Sequence, residues 1–259
     1  MGYECLMRPK LEIRALEKSY SHGSTHLRVF NPLDLTIAQG EFICLLGPSG
    51  SGKSTLLRMI AGFEPSDSGQ ILLDGLPITK PTVQRMMVFQ DFNQLFPWKT
   101  ILENVLFPLK IQKIGVSSRE RRAMAASYLA MVKLEGFEQY YPYQLSGGMK
   151  QRAAIARALA SQPQLLLMDE PFGSLDAQTR EILQQTLLQV WRDTGITIVF
   201  VTHDIQEAVI LAERIVILSK NKCQIRGIVE NGLSRPRNPG EPMFSAMWRQ
   251  VYGMFDAVE

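Results

Sequence analysis

The sequence contains, at residues 47–54, the run Gly47-Pro48-Ser49-Gly50-Ser51-Gly52-Lys53-Ser54. The short segment directly before this run, from Phe42 to Leu46, is wholly apolar, as in a buried strand. After it, the residues from Lys53 onward predict a helix, and Gly62 is a typical helix end. A strand, then the pattern G-x-x-x-x-G-K-[ST], then a helix is the context of a phosphate-binding loop. The run therefore predicts an α/β protein that holds a phosphorylated ligand.

Each part of this phosphate loop has its own role in binding a nucleotide. Glycines let backbone N–H groups approach phosphate oxygens, and the following helix adds its positive N-terminal end. Lys53 reaches the terminal phosphates, and Ser54 holds magnesium through its hydroxyl. We therefore expect ATP or GTP, with Mg²⁺, to contact Gly47, Pro48, Ser49, Gly50, Ser51, Gly52, Lys53, Ser54 and Thr55. A Gly- and Ser-rich turn is the alternative, and transporter motors, kinases, GTPases and DNA-repair ATPases all share the loop.

The rest of the chain alternates strand and helix patterns. Residues before about position 90 read mainly as strands and turns, with an Asp-Gly turn at Asp74 and Gly75. Residues 91–162 are helical in pattern, and one helix is predicted after Ser117 and Glu120, which have capping-box spacing. The apolar face of this helix is predicted at Met124, Tyr128, Met131 and Val132. Further strands are predicted at residues 165–168, 197–201 and 214–218. This order favours a mostly parallel sheet, with an antiparallel N-terminal β part and an inserted helical subdomain at about 91–162.

Two carboxylates, Asp169 and Glu170, follow a predicted apolar strand. The carboxyl ends of parallel strands open at one edge of a sheet, and ligands bind there. We expect Asp169 to orient magnesium and Glu170 to take a proton from the attacking water. A pair that merely caps a strand at the surface is the alternative reading.

Gln90 and His203 also follow predicted strands. The amide oxygen of Gln90 can complete the coordination of magnesium, whereas a solvated loop glutamine is the alternative. His203 can stabilise charge or orient water at the terminal phosphate, although a lone histidine is more often structural. Both are therefore candidate catalytic residues beside Glu170 and Lys53.

A second run, Leu145-Ser146-Gly147-Gly148-Met149-Lys150-Gln151-Arg152, resembles the signature sequence of ABC-type ATPases. Ser146 and the two glycines open a predicted helix, so that hydroxyl and N–H groups face a phosphate at a positive helix end. The resemblance covers about residues 10–220. The motifs appear in the family's order: the phosphate loop, Gln90, the signature, Asp169-Glu170, Ser174-Leu175-Asp176 and His203.

The resemblance implies that two chains bind two ATP molecules head to tail, most simply as a homodimer. Each ATP then lies between the phosphate loop of one chain and Ser146, Gly147 and Gly148 of the other. Asp176 resembles part of the loop that lines this interface, and it also reads as a helix N-cap. Tyr20 resembles the aromatic residue on which adenine stacks, with a strand-edge tyrosine as the alternative.

The resemblance narrows to importer ATPase subunits because the chain has one nucleotide-binding unit and no long heptad segment. The residues from Met168 to Arg180, with Leu95-Phe96-Pro97-Trp98, are similar to the nitrate, sulfonate and taurine group, although Gly173-Ser174 departs from the commoner Gly-Ala. The implied cargo is a small anion or an organosulfur or nitrogen compound, delivered by an external substrate-binding protein. Residues 92–109 are unusually apolar and predict a groove for a helix of integral-membrane permease subunits; internal packing is the alternative.

Composition excludes several other classes. The net charge of +3 is too small to indicate a nucleic-acid surface, and the three cysteines, Cys5, Cys44 and Cys223, suit neither disulfides nor zinc. No run approaches the roughly 18 apolar residues of a membrane span. We therefore expect the protein at the cytoplasmic face of the cell membrane, held there by its permease.

The ATPase domain is predicted at residues 10–220, with an extension of unassigned role at 221–259. A regulatory switch with little turnover and a nucleic-acid-handling ABC ATPase remain the alternatives.

Overall fold

The computed structural model describes residues 9–22, 25–173, 175–219 and 224–256. The strands are β1 (Leu11–His22), β2 (Thr25–Ile37), β3 (Phe42–Leu46), β4 (Ser68–Leu73), β5 (Leu76–Pro77), β6 (Arg85–Val88), β7 (Leu165–Asp169), β8 (Thr197–Thr202), β9 (Arg214–Leu218) and β10 (Ile225–Glu230). The α-helices are α1 (Lys53–Ala61), α2 (Ile101–Ile111), α3 (Ser118–Met131), α4 (Gly147–Leu159), α5 (Ala177–Thr194), α6 (Ile205–Leu211) and α7 (Pro242–Asp256). Short 3₁₀ helices span Phe92–Gln94 and Pro142–Gln144. The α/β class predicted from the sequence is confirmed.

The chain divides into two units. The first unit is Met1–Pro81 with Thr197–Glu259, and the second unit is Thr82–Ile196. In the first unit, β2, β1, β4 and β5 form an antiparallel sheet in that order. The predicted antiparallel N-terminal β part is therefore confirmed. Asp74 and Gly75, where an Asp-Gly turn was predicted, have φ of 50° and 79° and form a two-residue hairpin loop between β4 and β5.

The first unit also contains four neighbouring strands in the order β10, β9, β3, β8. Strands β9, β3 and β8 are parallel, and β10 is antiparallel to β9. Every residue of β3 and β8 is buried, which is the environment of a parallel strand covered on both faces. Leu46 pairs with Thr202 on one side and Ile217 on the other, so the residues that follow β3, β8 and β9 meet at one sheet edge.

In the second unit, β6 and β7 pair in parallel, and α2, α3 and α4 pack against one another. Helix α2 begins at a capping box formed by Thr100 and Glu103. Helix α3 begins as predicted, with Ser117 accepting a hydrogen bond from the Glu120 backbone N–H.

Of the apolar face predicted around α3, the burial of Val132 is confirmed, whereas the other predicted positions are wrong by one residue. Ala125, Leu129 and Val132 are fully buried, whereas Met124, Tyr128 and Met131 are partly exposed. Helix α3 packs against α2 and α4, and a small side chain such as that of Ala125 suits a buried position between closely packed helices.

The residues beyond Ser219 add structure that the sequence left open. Strand β10 pairs with β9, and helix α7 packs on α6, β9 and β10 through the buried side chains of Phe244 and Val251. The rings of Trp248 and Tyr252 stack at 4.9 Å between centroids on the same helix. Among the described residues, no helix combines the length and the apolar character needed to cross a membrane.

Candidate nucleotide-binding site

The phosphate loop ends at an uncapped helix start in the first unit. Gly52 is the N-cap of α1, with φ of 80°, and neither a capping side chain nor a first-turn acid satisfies the first amides of this helix. In contrast, the side chains of Thr100, Ser146, Asp176 and Asp204 accept such bonds at the starts of α2, α4, α5 and α6. A helix N-terminus that follows glycine and carries no side-chain cap is a common setting for a bound anion, so the local geometry fits a phosphate group.

Lys53 is held across the phosphate loop. Its side chain is only 4% exposed, and Nζ donates hydrogen bonds to the carbonyl oxygens of Gly47 and Pro48, at 2.7 and 2.8 Å. The loop carbonyls therefore fix the position of the ammonium group at the start of α1. A buried cation at the positive end of a helix favours a multiply charged anion as ligand.

His203 lies beside the phosphate loop. The parallel register pairs Leu46 with Thr202, and the Gly47 N–H approaches the Thr202 carbonyl oxygen at 3.4 Å. His203 is therefore the first residue after β8 at the sheet edge where Gly47 follows β3. Its side chain is exposed. The structure thus brings His203 together with the phosphate loop, as the strand order predicted.

Tyr20 lies in β1 and is 40% exposed. Its hydroxyl donates to Glu64, and the Lys18 ammonium lies 5.4 Å from the ring centroid. Burial, and then the hydrogen bond to Glu64, raises the pKa of Tyr20. The ring is therefore anchored at its hydroxyl end while part of its surface remains accessible.

In the second unit, Asp169 ends β7 and Glu170 follows it. Both side chains are partly exposed, whereas Leu165, Leu166, Leu167 and Met168 are fully buried. Glu170 has a φ of 43°, in the left-handed region that a residue with a long side chain rarely adopts. Backbone strain of this kind concentrates at functional sites, and here it turns the chain directly after a rigid strand.

Gln90 lies against the loop that follows Glu170. A Cβ atom on Gly173 would stand 2.9 Å from Gln90 Nε2, and the Gly173 N–H donates to the Glu170 carbonyl oxygen at 3.2 Å. The structure therefore brings Gln90 and Glu170 into one neighbourhood. Gly173 was not predicted as a site residue. The one sequence feature that could have indicated it is its closeness to the acidic pair Asp169 and Glu170. Ser174, the next residue, lies outside the described residues.

The signature run forms the start of α4. Ser146 is the N-cap, and its Oγ accepts a hydrogen bond from the Met149 N–H at 3.3 Å. Gly147 begins the helix, and Gly148 is buried. A Cβ atom on Gly148 would lie 2.2 Å from Thr179 Cγ2, so glycine allows α5 to approach α4 here without displacing the Thr179 side chain.

Asp176 is the N-cap of α5 and accepts a hydrogen bond from the Thr179 N–H at 2.9 Å. The hydrogen bonds from Thr179 lower the pKa of Asp176, so this exposed carboxylate stays charged. The contact between Thr179 and Gly148 therefore joins the loop of Asp176 to the start of the signature helix.

Two glutamines that the sequence reading did not assign link the signature helix to Gln90. Gln151 is fully buried in α4, and its Nε2 donates to the Phe89 carbonyl oxygen at 3.0 Å. Gln94 donates to the same oxygen at 3.0 Å and to Gln151 Oε1 at 3.1 Å, and accepts from the Phe89 N–H. Gln90 therefore follows a residue whose backbone is held by both side chains. No periodicity or motif spacing signals such a contact.

The second unit also contains an apolar cavity of about 340 Å³. Its lining consists of Val83, Met86, Gln94, Phe96, Phe107, Pro108, Ile111, Gln112, Arg157 and Ser161. The Arg157 guanidinium lies 5.2 Å from the Phe96 ring centroid, and burial lowers its pKa. Part of the predicted groove segment therefore lines a cavity, whereas Leu95 and Leu109 pack in the core.

The predicted site residues thus form two groups, each local to one unit. The first unit holds Tyr20, the phosphate loop from Gly47 to Thr55, and His203. The second unit holds Gln90, Ser146, Gly147, Gly148, Asp169, Glu170 and Asp176.

Comparison with known proteins agrees with these features. A family model described as ABC transporter matches residues 30–173. An aliphatic sulfonates import ATP-binding protein of Bacillus thuringiensis is 41% identical over 246 residues, covering 95% of this chain and 96% of that protein. A nitrate import ATP-binding protein of Synechocystis is 48% identical over 216 residues, covering 83% and 80%. A dimeric ATP-binding cassette in a post-hydrolysis state with ADP and Pi superposes with a TM-score of 0.75 at 36% identity, covering 86% of this chain and 100% of that one.

These matches separate this chain from the other classes that share a phosphate loop. The match to the sulfonate import relative, which is named as an ATP-binding protein, covers nearly all of this chain and nearly all of that protein. The solved cassette was bound to ADP and Pi, the products of ATP hydrolysis. The motifs that set this family apart lie in the described structure at a sheet edge and at helix starts, where phosphate chemistry needs them. The chain belongs to the ABC transporter family, as an ATP-binding and ATP-hydrolysing subunit.

Proposed function

We propose that this protein powers an importer of a small anion or an organosulfur or nitrogen compound. The observation that carries the proposal is the identity, along almost the whole chain, to an ATP-binding protein of aliphatic sulfonate import. The nitrate import relative supports the same group, since nitrate and sulfonates are both small oxyanionic compounds. Neither name favours a regulatory switch or a nucleic-acid-handling ATPase. Choice of cargo would belong to the permease and to an external binding protein.

In this proposal ATP binds with Mg²⁺, whose chemistry is to neutralise and orient the phosphates. Ser54, Gln90 and Asp169 would hold the metal, with hydroxyl, amide and carboxylate oxygens of the kind that magnesium prefers. No group of three or more His, Cys, Asp or Glu side chains forms a metal site within the described ranges. A magnesium ion would therefore depend on the nucleotide phosphates for part of its coordination.

The chain's own residues then divide the chemistry. Tyr20 stacks on adenine, and the phosphate loop with Lys53 binds the phosphates. Glu170 accepts a proton from water as that water attacks the terminal phosphorus, the bond from this phosphorus to the bridging oxygen breaks, and ADP leaves. His203 orients or stabilises the transferred group. Ser146, Gly147, Gly148 and Asp176 act on the ATP of a second copy, so that two chains enclose two nucleotides head to tail. Hydrolysis reopens this homodimer.

We further propose that residues 10–220 form the ATPase domain, with its helical subdomain at about 91–162. Residues 221–259 are then an extension outside this domain. The protein would sit at the cytoplasmic face of the cell membrane through its permease, which accords with the lack of a spanning helix among the described residues.

The cavity of the second unit is the proposed docking site for a permease helix. Its lining is apolar except for a few groups, and Phe96 and Phe107 contact edge to face at 4.8 Å. Arg157 lies at this lining, and within the described residues no carboxylate pairs with it. A partly buried, unpaired guanidinium beside aromatic rings favours an amphipathic helix that carries one acidic side chain among apolar ones.

Arg157→Glu should uncouple the permease from the ATPase. Reversing the charge places two carboxylates in contact, so we expect permease-stimulated ATP hydrolysis in proteoliposomes to fall at least about tenfold. Basal hydrolysis by the isolated chain should change little. Arg122→Glu, the same charge change at an exposed position of α3, serves as the control. Equal stimulation in the two variants would count against this docking site.

The proposed function is tested by measuring ATP hydrolysis by the purified chain at a series of protein concentrations. A paired motor requires the rate per chain to rise with concentration, because the active form is a dimer. The rate should vanish in Lys53→Ala, which loses a phosphate contact, and in chelator, which removes magnesium. A measurable rate per isolated chain that does not change with concentration would contradict the dimeric mechanism.

A further inference from the structure

The C-terminal extension closes the end of helix α6. The last four carbonyl groups of an α-helix lack partners within the helix. In α6 and its C-cap these belong to Val209, Ile210, Leu211 and Ala212. Each of the four accepts a hydrogen bond from a side chain of residues 231–237.

Arg237 makes most of these contacts. Its Nη1 donates to the carbonyl oxygens of Val209, Ile210 and Ala212 at 2.9, 3.3 and 2.6 Å. Its Nε and Nη2 donate to the Leu233 and Asn231 carbonyl oxygens at 3.1 and 2.9 Å, which ties the extension to itself. Burial, with a smaller contribution from Arg235, lowers the pKa of Arg237 to about 10, so the group stays protonated at neutral pH. A cation at a helix C-terminus also stabilises the helix dipole.

Asn231 and Arg235 complete the clamp. The buried Asn231 donates from Nδ2 to the Val209 and Ala212 carbonyl oxygens at 2.8 and 3.0 Å. Arg235 Nη2 donates to the Leu211 carbonyl oxygen at 2.7 Å. Three side chains of one short segment therefore satisfy the C-terminal end of α6, and we call them the α6 clamp.

The opposite end of α6 is bonded to the neighbours of His203. Thr202 Oγ1 donates to Glu207 Oε2 at 2.6 Å and accepts from the Asp204 N–H at 3.0 Å. Asp204 Oδ1 accepts from the N–H groups of Gln206 and Glu207 at 2.7 and 3.3 Å. His203 therefore lies between two residues that are both fastened to the first turn of α6.

A helix of seven residues is about 10 Å long and is marginal without tertiary contacts. The buried side chains of α6 pack against α7, β3 and β8, and its two ends are held by side-chain hydrogen bonds. Because the helix is short, a displacement of one end also moves the other. We infer that the C-terminal extension, through Arg237, Asn231 and Arg235, positions His203 for ATP hydrolysis by clamping α6. This inference rests on the catalytic role proposed for His203. Arg237 is a positioning residue, since it acts on the histidine through the helix.

The test is a double-mutant cycle on the purified full chain. Arg237→Gln removes the charge and most of the donors, so kcat for ATP should fall about tenfold, with KM changed less than about twofold. His203→Ala should lower kcat at least as much. In the His203→Ala background, Arg237→Gln should then produce no further loss, because both changes remove the same contribution. Arg226→Gln, an exposed arginine of the same extension, is the control and should leave kcat unchanged.

The outcomes separate this inference from the proposed function. If His203→Ala lowers kcat and Arg237→Gln lowers it equally in both backgrounds, the clamp acts on something else and the inference is wrong. An unchanged kcat in Arg237→Gln, or a rise in KM alone, also overturns it. If His203→Ala leaves kcat unchanged, the catalytic role of His203 fails and the inference falls with it. Should Arg237→Gln not fold, Arg235→Gln removes only the bond to Leu211, and its smaller loss of about two- to threefold should likewise vanish without His203.

Discussion

Glu170→Gln is expected to lower the turnover of ATP by about 10² to 10⁴-fold, the usual contribution of a general base. Glutamine has the shape of glutamate but cannot accept a proton from water at neutral pH. The backbone at this position, with φ of 43°, is held by the end of β7 and by the bond from the Gly173 N–H. The substituted side chain should therefore occupy the same place, so that the loss reflects chemistry rather than folding.

The same variant should accumulate as an ATP-bound dimer, because binding closes the pair and hydrolysis is needed to reopen it. Size-exclusion chromatography with ATP and magnesium measures this shift directly. Glu181→Gln, an exposed glutamate of α5, is the matched control and should hydrolyse ATP normally. Glu170→Gln chains that bind ATP yet elute as monomers would contradict the head-to-tail arrangement, and rapid turnover would contradict the assignment of the base.

Gly148→Ala is expected to produce the second large loss. The added Cβ would stand 2.2 Å from Thr179 Cγ2, whereas ordinary contacts begin near 3.4 Å. Either the Thr179 side chain must rotate away or the start of α4 must move by about 1 Å, and a displacement of that size can cost about 100-fold in rate at a catalytic site. Overpacking should also lower the free energy of unfolding by about 1–3 kcal/mol. ATP hydrolysis and thermal unfolding measure the two effects.

Thr179→Ser provides a matched rescue for this variant. Serine lacks Cγ2 but keeps Cβ, and the next atom to the added methyl is Thr179 Cβ at 3.7 Å. The Gly148→Ala, Thr179→Ser double variant should therefore recover most of the stability and turnover, while Thr179→Ser alone should resemble the unmodified chain. If the double variant stays as impaired as Gly148→Ala, the close approach of α5 is not the reason for glycine at this position.

Local pattern was enough to predict the elements that carry the phosphate chemistry. Three features of the phosphate loop are close together in sequence: the apolar run of β3, the glycine pattern after it and the helix end at Gly62. Local sequence pattern is therefore enough to recognise them. The same holds for the N-caps Ser146 and Asp176, whose acceptor atoms serve amides only three positions away. Such features depend on covalent connectivity and short-range hydrogen bonding alone.

Contacts between distant segments could not be predicted in this way. The bond from Gln151 to Phe89 joins residues 62 positions apart, and neither side chain belongs to a periodic pattern. The clamp on α6 similarly joins Arg237 to Val209, 28 positions away. Roles of Gln90, Glu170 and the signature that need a bound nucleotide or a second chain remain predictions, because they concern molecules other than this chain.

The contacts of Gln94 determine in which direction the cavity and the nucleotide-binding motifs can influence each other. This side chain lines the apolar cavity and also holds the Phe89 backbone and Gln151. It therefore touches the proposed docking site, the residue before Gln90 and the signature helix at once. An occupant of the cavity that shifts Gln94 therefore changes the free energy of both motifs in a single step. Thermodynamic linkage makes this coupling reciprocal. If a docked helix changes the affinity for the nucleotide by some factor, the bound nucleotide changes the affinity for the helix by the same factor.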